Sequence, residues 1–386
     1  MGGTQREVMP DRLRGLALLG IVVVNAPLFG ISGGEGLTQE SVTGPLNSIA
    51  AFLMLAFAQG KFYLLFSFLF GYSASFILRD NTRPNRIRFS RRLLVLAVIG
   101  LAHAVFLFIG DILLTYALLG FGLLALSRRS NRALKIWVVV LVVASVVLLT
   151  FFIALIALLP QPDPSIIRLD SALAEGTFLQ ASAARLATIP TVLLFLLFVQ
   201  GGMAFAAFLL GLLASRRQLL RDPNTSIALW RRMMIIGFAV GLPLQVVAAW
   251  LQLVAITNGN HYSPLGALGV ILGFATAPLL TAGYIGLVGW GLSRRPRLFS
   301  FAEPAGRVSL SVYIGESVML SLLFCGYGLG FYGRWGAFAV LLAAVATWMA
   351  LALLASVWLR RFTRGPLEVC VAALSRVPRL TRSGAS

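Results

Sequence analysis

Residues 136–159 read IWVVVLVVASVVLLTFFIALIALL, a stretch that contains no charged side chain. The hydrocarbon core of a bilayer needs about 20 mostly apolar residues in helical form. A helix is favoured over a barrel strand because lipid offers the backbone no hydrogen-bond partner and because polar and apolar residues do not alternate here. The stretch therefore predicts a transmembrane helix.

Nine further stretches of the same kind flank it along the chain. With 136–159 included, the predicted spans are 13–30, 61–78, 93–110, 111–127, 136–159, 190–214, 233–255, 265–292, 308–327 and 337–358. The stretch 46–60 is apolar but short, and it is interpreted as a half-helix or outer-surface segment leading into the second span. The third and fourth spans meet at Gly110 and Asp111, which predicts a tight outer turn.

The composition supports the same class of protein. Hydrophobic residues make up 59% of the 386-residue chain and charged residues only 12%, whereas soluble domains are about 45–50% apolar and about 25% charged. A soluble enzyme, a disordered chain and a secreted disulfide scaffold are therefore excluded. The sequence predicts an all-α, polytopic integral membrane bundle of about ten helices, with a transmembrane domain over 1–365 and a basic tail over 366–386.

The basic residues predict the orientation. Of the 32 Lys and Arg residues, 28 lie in the N-terminal segment, between alternate spans or in the tail. The positive-inside rule then places both termini in the cytoplasm of a multi-pass protein, here assigned to the plasma membrane. The net charge of +19 needs no nucleic-acid partner, because these arginines also attract anionic lipid of the bilayer.

Two other features of the chain carry weaker predictions. The long outer loop, 160–189, has moderate helical periodicity in its middle, which fits either a helix on the outer membrane surface or a solvated connector. Cys325 and Cys370 are predicted on opposite sides of the membrane, so they cannot pair, and no spacing in the chain predicts a metal site.

Four polar residues lie at predicted membrane depth, where an ionisable group costs about 2.5–3.5 kcal/mol on insertion scales. They are Asn25, His103, Asp111 and Glu316. Asn25 suits an interhelical hydrogen bond as well as a catalytic role. Glu316 is expected to be protonated, paired with Lys61 or Arg14, or part of a proton relay.

His103 and Asp111 are the strongest candidates among these. A neutral imidazole can act as a general base if a hydroxyl or amine lies within about 3 Å. Eight residues separate the two, so they meet only if the chain bends at Gly110 or if both line one cavity. Asp111 also suits the N-cap of the fourth span.

Two further candidates lie near the predicted outer surface. Lys61 follows Gly60 at the start of the second span, where a lysine is expected to snorkel to the interface. His261 belongs to the outer loop NGNHYSP, 258–264, and either faces solvent or lies at a cavity mouth near a substrate.

Several segments resemble a known family. They are DRLRGLALLGIVVVN (11–25), GKFYLLFSFLFG (60–71), RRLLVLAVIGLAHAVFLFIGDILLTYALLG (91–120), GRVSLSVYIGES (306–317), GYGLGFYGR (326–334) and RRFTRGPLE (360–368). In this order they resemble the YeiB-like DUF418 membrane proteins. That family is similar to the transmembrane acyltransferase superfamily, with its acyltransferase-3 proteins and heparan glucosaminide N-acetyltransferases.

The resemblance implies transfer of an acyl group, often acetyl, from cytoplasmic acyl-CoA to a hydroxyl or amine of a small-molecule, lipid or glycan acceptor. The polar position after Arg14 is Asn25, as in the heparan enzymes, but no histidine lies between residues 26 and 102. His103 is therefore taken as the base and Asn25 as an oxyanion donor, and Asp111 either orients the imidazole or positions the acceptor.

The remaining candidates are assigned to donor or acceptor binding. The arginines that suit the CoA phosphates, beside their topological role, are Arg14, Arg91, Arg92 and Arg307. The other candidate binding residues are Lys61, Glu316, Tyr116 and His261. The choice of base between His103 and His261 stays open at this point.

Two alternative functions remain. One is a proton-coupled transporter in which Asp111, Glu316 and His103 form a proton path, although no paired halves are visible in the sequence. The other is a non-catalytic membrane partner. The sequence leaves the acceptor and any homo-oligomer undetermined.

Overall fold

The protein folds as a bundle of α-helices. The computed structural model describes residues 7–78, 80, 82–158, 164–261 and 263–375. Those ranges contain helices and no β-strand, so the predicted all-α fold class is confirmed. The predictions that rest on Arg6, Arg79, residues 160–163 and the arginines after residue 375 lie outside the described residues.

Sixteen α-helices occur in the described ranges. Their bounds are α1 Val8–Gly30, α2 Pro45–Leu53, α3 Phe62–Leu78, α4 Arg83–Phe106, α5 Ile112–Leu126, α6 Asn131–Ile156, α7 Pro164–Glu175, α8 Phe178–Phe195, α9 Gly201–Arg216, α10 Ile227–Ile236, α11 Leu242–Thr257, α12 Pro264–Arg294, α13 Glu303–Arg307, α14 Ser309–Phe324, α15 Ala337–Trp358 and α16 Pro366–Leu374.

Three π-helical segments extend or join these helices. Met54–Ala58 continues α2, Leu196–Gln200 joins α8 to α9, and Gly237–Gly241 joins α10 to α11. A π segment widens the helical turn locally and shifts the hydrogen-bond register. The short apolar segment 46–60 is thus a helix with a π-helical end, which then turns into α3, as the half-helix interpretation predicts.

Within the described residues, eight helical segments are long and apolar enough to cross a membrane. A ninth is formed if the helices Ser300–Arg307 and Ser309–Phe324, bent by 90° at their break, cross as one broken span. Ile112–Leu126 is a shorter apolar helix. Each of the ten predicted spans therefore corresponds to a helix, and the polytopic membrane bundle is confirmed. The cytoplasmic placement of the termini stays a prediction.

Glycines allow several helices to approach closely. A Cβ on Gly71 of α3 would overlap the carbonyl oxygen of Phe208 in α9, and one on Gly211 would overlap the carbonyl oxygen of Phe68. Small residues favour association of membrane helices because they let the backbones come together. The reciprocal contact therefore fixes α3 against α9.

The helices differ in how much of their surface other helices cover. Two thirds of the apolar window in α1, 67%, is buried inside the protein, against 11% in α6. A helix that is apolar all round and little covered by protein needs lipid around it. We infer that α1 lies at the centre of the bundle and α6 at its lipid-facing periphery.

The start of α1 is fixed by a buried arginine. Arg12 is 6% exposed, and its Nε atom donates to Glu303 Oε2 at 3.1 Å. Its Nη1 atom donates to the carbonyl oxygens of Pro296 and Leu298. Arg12 therefore connects α1 to the segment between α12 and α13, a structural contact that the sequence analysis did not predict.

The long outer loop is shorter than predicted. Its first part contains α7, whose Leu169 and Leu173 are buried in a cluster with Cys325 and Tyr332. Its second part, from Phe178, already belongs to α8. The helix in this loop thus packs on the protein, and the prediction of a loop extending to residue 189 is wrong.

The beginning of the tail packs against the bundle. Glu368 in α16 accepts hydrogen bonds from the Leu310 backbone N–H at 2.8 Å and from the Ser311 hydroxyl at 2.6 Å. A carboxylate that receives these donors stabilises the first turn of α14. The region 366–374 is therefore attached to the membrane domain.

Candidate functional site

The candidate site begins at the hairpin between α4 and α5. His103 lies in the last turn of α4, and Asp111 is the residue directly before α5. The His103 Nδ1 atom lies 2.8 Å from Asp111 Oδ1, and each side chain is only 1% exposed. The chain does bend before Asp111. This bend is one of the two conditions under which we expected His103 and Asp111 to meet.

Local sequence explains this hairpin. After α4 ends at Phe106, the Phe108 ring packs against Phe29 with 4.5 Å between ring centroids. Asp111 then starts α5 as its N-cap, with Oδ2 accepting the Leu114 backbone N–H at 2.7 Å. Asp111 therefore caps α5 with one oxygen and holds His103 with the other.

Gly100 makes room for this double role. A Cβ at this position would lie 2.7 Å from Asp111 Oδ2 and would overlap the Leu114 backbone nitrogen. Since any larger residue would push the N-cap away from α4, the glycine allows Asp111 to reach His103.

The second partner of His103 comes from α14. The His103 Nε2 atom lies 2.8 Å from Ser317 Oγ, and Ser317 is 3% exposed. Tyr313, one turn earlier on α14, has its hydroxyl 3.5 Å from Asp111 Oδ1. We call the chain of Ser317, His103 and Asp111 the buried relay.

The relay fixes which nitrogen of His103 can act as a base. A carboxylate only accepts hydrogen bonds, so Nδ1 carries a proton and the Nδ1–H group donates a hydrogen bond to Asp111. Nε2 is then the acceptor of the Ser317 hydroxyl proton. A hydroxyl, an imidazole and a carboxylate in this order form the arrangement that activates a hydroxyl for attack on an acyl group.

Other buried polar groups lie in the same bundle. The buried atoms without a hydrogen-bond partner in the described part of the chain include Tyr63 OH, Thr115 Oγ1 and Glu316 Oε1. Tyr116 donates its hydroxyl hydrogen to the Tyr63 carbonyl oxygen and lies 2.6 Å from Ser67 Oγ. Unpaired buried polar atoms are costly, so their concentration in one bundle favours a functional role.

Glu316 is 3% exposed. It makes no ion pair with any described residue, because Arg14 pairs with Asp11 at 2.7 Å and Lys61 binds elsewhere. Of the three alternatives given for Glu316, the pairing with Lys61 or Arg14 is therefore not formed among the described residues.

Lys61 does not snorkel, contrary to the expectation. Its side chain is 0% exposed, and Nζ donates to the carbonyl oxygen of Leu55 at 2.8 Å. Leu55 belongs to the π-helical segment that ends α2, and Gly60, with φ of +82°, turns the chain back. A cation at a helix C-terminus binds its unpaired carbonyls and favours the dipole, so Lys61 stabilises this break.

Asn25 is separate from the relay. It is half-buried on α1 and forms no side-chain hydrogen bond with His103, Asp111 or any other residue that the structure describes. The three predicted catalytic residues therefore do not share one set of contacts. Among the described residues, the His103 and Asp111 side chains are sealed inside the bundle, each only 1% exposed.

The predicted donor-binding arginines are divided among different places. Arg14 binds Asp11 and Ser73, and Arg92 lies within electrostatic range of Arg14 and Arg88. Arg307 ends α13 and has a buried Nε atom without a partner in the described ranges. Only Arg91 lines the large cavity described next.

An open cavity of about 490 Å³ lies at the predicted cytoplasmic ends of α4 and α5. We call it the arginine groove, and it is lined by Arg83, Arg86, Ile87, Ser90, Arg91, Leu94, Leu124 and Arg128. Four guanidinium side chains around one cavity suit a ligand with several phosphate charges.

Among the described residues, His261 contacts no member of the buried relay. It is 24% exposed and its Nε2 atom is 4.0 Å from Glu35 Oε2. Burial lowers the pKa of His261 below the ordinary value, and Glu35 partly opposes the shift. Because it touches no member of the relay, the structure favours His103 over His261 as the base.

Comparison with known proteins shows which family the chain resembles. The family described as "Protein of unknown function (DUF418)" matches residues 214–376. "Uncharacterized protein YxaH" of Bacillus subtilis (strain 168) is 28% identical over 381 residues, covering 93% of this chain and 91% of the relative. "Uncharacterized protein YeiB" of Escherichia coli (strain K12) is 27% identical over 375 residues, covering 94% of each. The YeiB-like DUF418 resemblance is confirmed.

A further relative is also similar over most of its length. "Uncharacterized 39.9 kDa protein in amylase 3'region" of Bacillus acidopullulyticus is 29% identical over 375 residues, covering 93% of this chain and 90% of the relative. No solved structure matches the chain. The DUF418 match includes Ser317 but begins after the α4–α5 hairpin, so the buried relay joins the matched region to the part of the chain that precedes it.

The sequence did not single out Ser317. It directly follows Glu316 in the segment YIGES, and its position on a mid-span helix could have marked it as a polar residue at membrane depth. Its partner, however, lies 214 residues earlier in the chain.

Proposed function

We propose that this protein is an integral plasma-membrane acyltransferase. It takes an acyl group, acetyl in the simplest case, from cytoplasmic acyl-CoA and passes it to a hydroxyl or amine of a small-molecule, lipid or glycan acceptor. The observation that carries the proposal is the buried relay, with 2.8 Å between Ser317 Oγ and His103 Nε2 and 2.8 Å between His103 Nδ1 and Asp111 Oδ1.

The arginine groove is the place where the acyl donor would bind in this proposal. Arg91 in the groove precedes His103 by twelve residues of α4, about 18 Å along a helix axis. An extended pantetheine arm can span such a distance. A CoA thioester with its phosphates at Arg91 would therefore place its reactive carbonyl near the level of the relay.

The chemistry follows from the partners of His103. Asp111 holds the imidazole with Nε2 available and stabilises the positive charge that develops when Nε2 takes a proton. A buried site excludes water, which protects a thioester from hydrolysis and strengthens the electrostatic contacts. Asn25 serves as an oxyanion donor in this proposal only if substrate binding brings it to the carbonyl.

Access to the relay requires movement. Since His103 and Asp111 are each 1% exposed, the acyl donor reaches them when helices other than α14 move away from the α4–α5 hairpin, which leaves Ser317 in contact with His103.

The function is tested with membranes that contain the protein. Vesicles with wild-type protein are given acetyl-CoA labelled in the acetyl group, and lipids, glycans and small molecules are extracted and counted. We expect a labelled acceptor with the wild type and a loss of at least about 100-fold with His103→Ala. Equal labelling by both proteins, or no binding of CoA thioesters by the purified wild type, would contradict the proposal.

A second candidate is proton-coupled transport. Glu316, buried and without an ion-pair partner among the described residues, supports it, because intramembrane carboxyl groups often carry protons in transporters. Proteoliposomes under a pH gradient would then accumulate a solute, and Glu316→Gln would abolish the uptake. Acetyl transfer that survives Glu316→Gln would instead favour the acyltransferase.

A further inference from the structure

We propose that Ser317 takes the acyl group covalently, so that transfer proceeds through an acyl-serine in two steps. This inference rests on the proposed acyltransferase function and specifies its chemistry. It assigns a nucleophile to a residue that the sequence did not select. A one-step transfer would need no such residue.

The contacts of His103 favour a protein nucleophile. Its Nδ1 atom is bound by Asp111, and its Nε2 atom is bound by the Ser317 hydroxyl. In one-step transfer the acceptor's own hydroxyl or amine must take the place of Ser317 at Nε2. In the structure the hydroxyl within reach of the base is that of Ser317, and no rearrangement of these two side chains is needed for its activation.

The position of Ser317 suits transfer across a membrane. It lies eight residues after Ser309, about 12 Å along the α14 axis, and seven residues before the end of α14 at Phe324. The serine is thus near the middle of the helix. An acyl-serine would let the small acyl group cross this point while CoA stays on the arginine groove side.

The first step balances as follows. Ser317 Oγ attacks the thioester carbonyl carbon while His103 Nε2 takes the hydroxyl proton. The tetrahedral intermediate breaks its C–S bond, and the CoA thiolate leaves with the proton returned by His103. The products are the Ser317 ester and free CoA.

The second step repeats the chemistry with the acceptor. The acceptor hydroxyl or amine gives its proton to His103 Nε2 and attacks the ester carbonyl. The C–O bond to Ser317 breaks, and the serine oxygen takes the proton back from His103. The enzyme returns to its starting state without an oxidant, a reductant or a metal.

The alternative explanation is that Ser317 merely satisfies a buried imidazole. Ser321 provides the matched control, because it is one turn further on α14, is 1% exposed and donates its hydroxyl hydrogen to the Ser317 carbonyl oxygen. It makes no contact with His103 in the described hydrogen bonds. Both serines are buried hydroxyls on the same helix, and only Ser317 belongs to the relay.

The experiment is isotope exchange in the absence of an acceptor. Purified full-length protein in lipid nanodiscs is mixed with unlabelled acetyl-CoA and labelled free CoA, and label entering acetyl-CoA is measured. A two-step enzyme catalyses this exchange because free CoA reverses the first step, whereas one-step transfer needs an acceptor. Rapid acid quenching and peptide mass spectrometry then locate any acetyl group on the protein.

We expect exchange and acetylated Ser317 in the wild type and in Ser321→Ala. In Ser317→Ala exchange should fall by more than about 100-fold. Ser317→Cys keeps a nucleophile and should form a thioester that neutral hydroxylamine cleaves, whereas the serine ester of the wild type resists it. This variant keeps the test valid if Ser317→Ala does not fold.

The outcomes separate the inference from the proposed function. If the wild type acetylates a membrane acceptor but shows neither exchange nor acetylated Ser317, transfer is direct and the inference is overturned while the function stands. Acetyl transfer by Ser317→Ala at a rate near the wild type, or hydroxylamine sensitivity unchanged by Ser317→Cys, would also overturn it. If the wild type neither transfers acetyl nor binds acetyl-CoA, the proposed function itself fails.

Discussion

Asp111 is the residue on which both stability and the proposed chemistry depend. One oxygen accepts the Leu114 backbone N–H at the start of α5, and the other binds His103 Nδ1. The sequence offered capping and catalysis as compatible roles, and the structure shows contacts that suit both. Substitutions can separate the two roles because they depend on different properties of the side chain.

Asp111→Asn should keep the cap and weaken the relay. Asparagine is as good an N-cap as aspartate, but it carries no charge to stabilise the imidazolium of His103. We expect a melting temperature close to the wild type and acetyl transfer lowered by about 10²–10⁴-fold.

Asp111→Ala is the control for the cap, and it should also destabilise the protein by about 1 kcal/mol. Thermal unfolding in detergent and initial transfer rates measure the two effects. Full activity in Asp111→Asn would contradict the assigned role of the carboxylate.

His261 gives a prediction about pH that is independent of the relay. Burial lowers its pKa below 6.5 in the folded protein, with Glu35 opposing the shift. Between that lowered pKa and about 6.5 the unfolded chain binds more protons, so the free energy of unfolding falls as the pH falls.

We therefore expect the melting temperature of the wild type to drop more than that of His261→Gln between about pH 7.5 and pH 5. Parallel pH curves for the two proteins would contradict the predicted shift. Acetyl transfer at constant pH should be retained in His261→Gln, because this histidine does not contact the relay.

At the scale of elements, the α4–α5 hairpin shows which structural features the sequence predicts and which it does not. The hydrophobic runs predicted both helices and a tight turn at Gly110 and Asp111, since composition alone marks apolar segments and their breaks. The contact between His103 and Asp111 depends on a bend of the chain at Gly110. The sequence analysis gave this bend only as a condition. The contact with Ser317 could not be predicted, because it depends on how α14 packs against a hairpin 214 residues away.

Gly100→Ala should disturb this hairpin. The added Cβ would lie 2.7 Å from Asp111 Oδ2 and would overlap the Leu114 nitrogen, so the N-cap and the relay must shift. We expect acetyl transfer to fall at least about 10-fold together with a loss of stability of about 1–3 kcal/mol.

Gly273→Ala is the matched control for this substitution. It is also a glycine in a packed helix, but its Cβ would meet neighbours at 3.4 Å or more, in ordinary contact. It should leave activity near the wild type. Equal effects of the two substitutions would contradict the role given to Gly100.

At the scale of the whole molecule, the grouping of the proposed catalytic residues was the least successful part of the sequence interpretation. Asn25, His103 and Asp111 were given roles in one reaction, yet only the last two are in contact, and the arginines are distributed over several contacts. Hydropathy and charge place residues at a membrane depth, but they do not determine which face of one helix meets another. The separation between the arginine groove and the relay follows from that three-dimensional packing.

The predicted orientation can be tested with the two cysteines. Cys370 is exposed in α16, whereas Cys325 is only 1% exposed, so a reagent in the water cannot reach its thiol. A membrane-impermeant maleimide should therefore label only Cys370, in inside-out vesicles and not in intact spheroplasts.

Two variants complete this test of orientation. Cys370→Ser should abolish the labelling, and Cys325→Ser should leave it unchanged. Labelling of Cys370 in spheroplasts would place the tail outside the cell and would reverse the predicted topology.

The central claim is that the buried relay transfers an acyl group delivered from the arginine-rich side. The most direct measurement uses sealed proteoliposomes in which the protein has one orientation and labelled acetyl-CoA is supplied on one side at a time. We predict transfer to a membrane acceptor only when acetyl-CoA meets the face with the arginine groove, and none with His103→Gln from either side. Transfer of the same rate from the opposite face, or undiminished transfer by His103→Gln, would contradict the account.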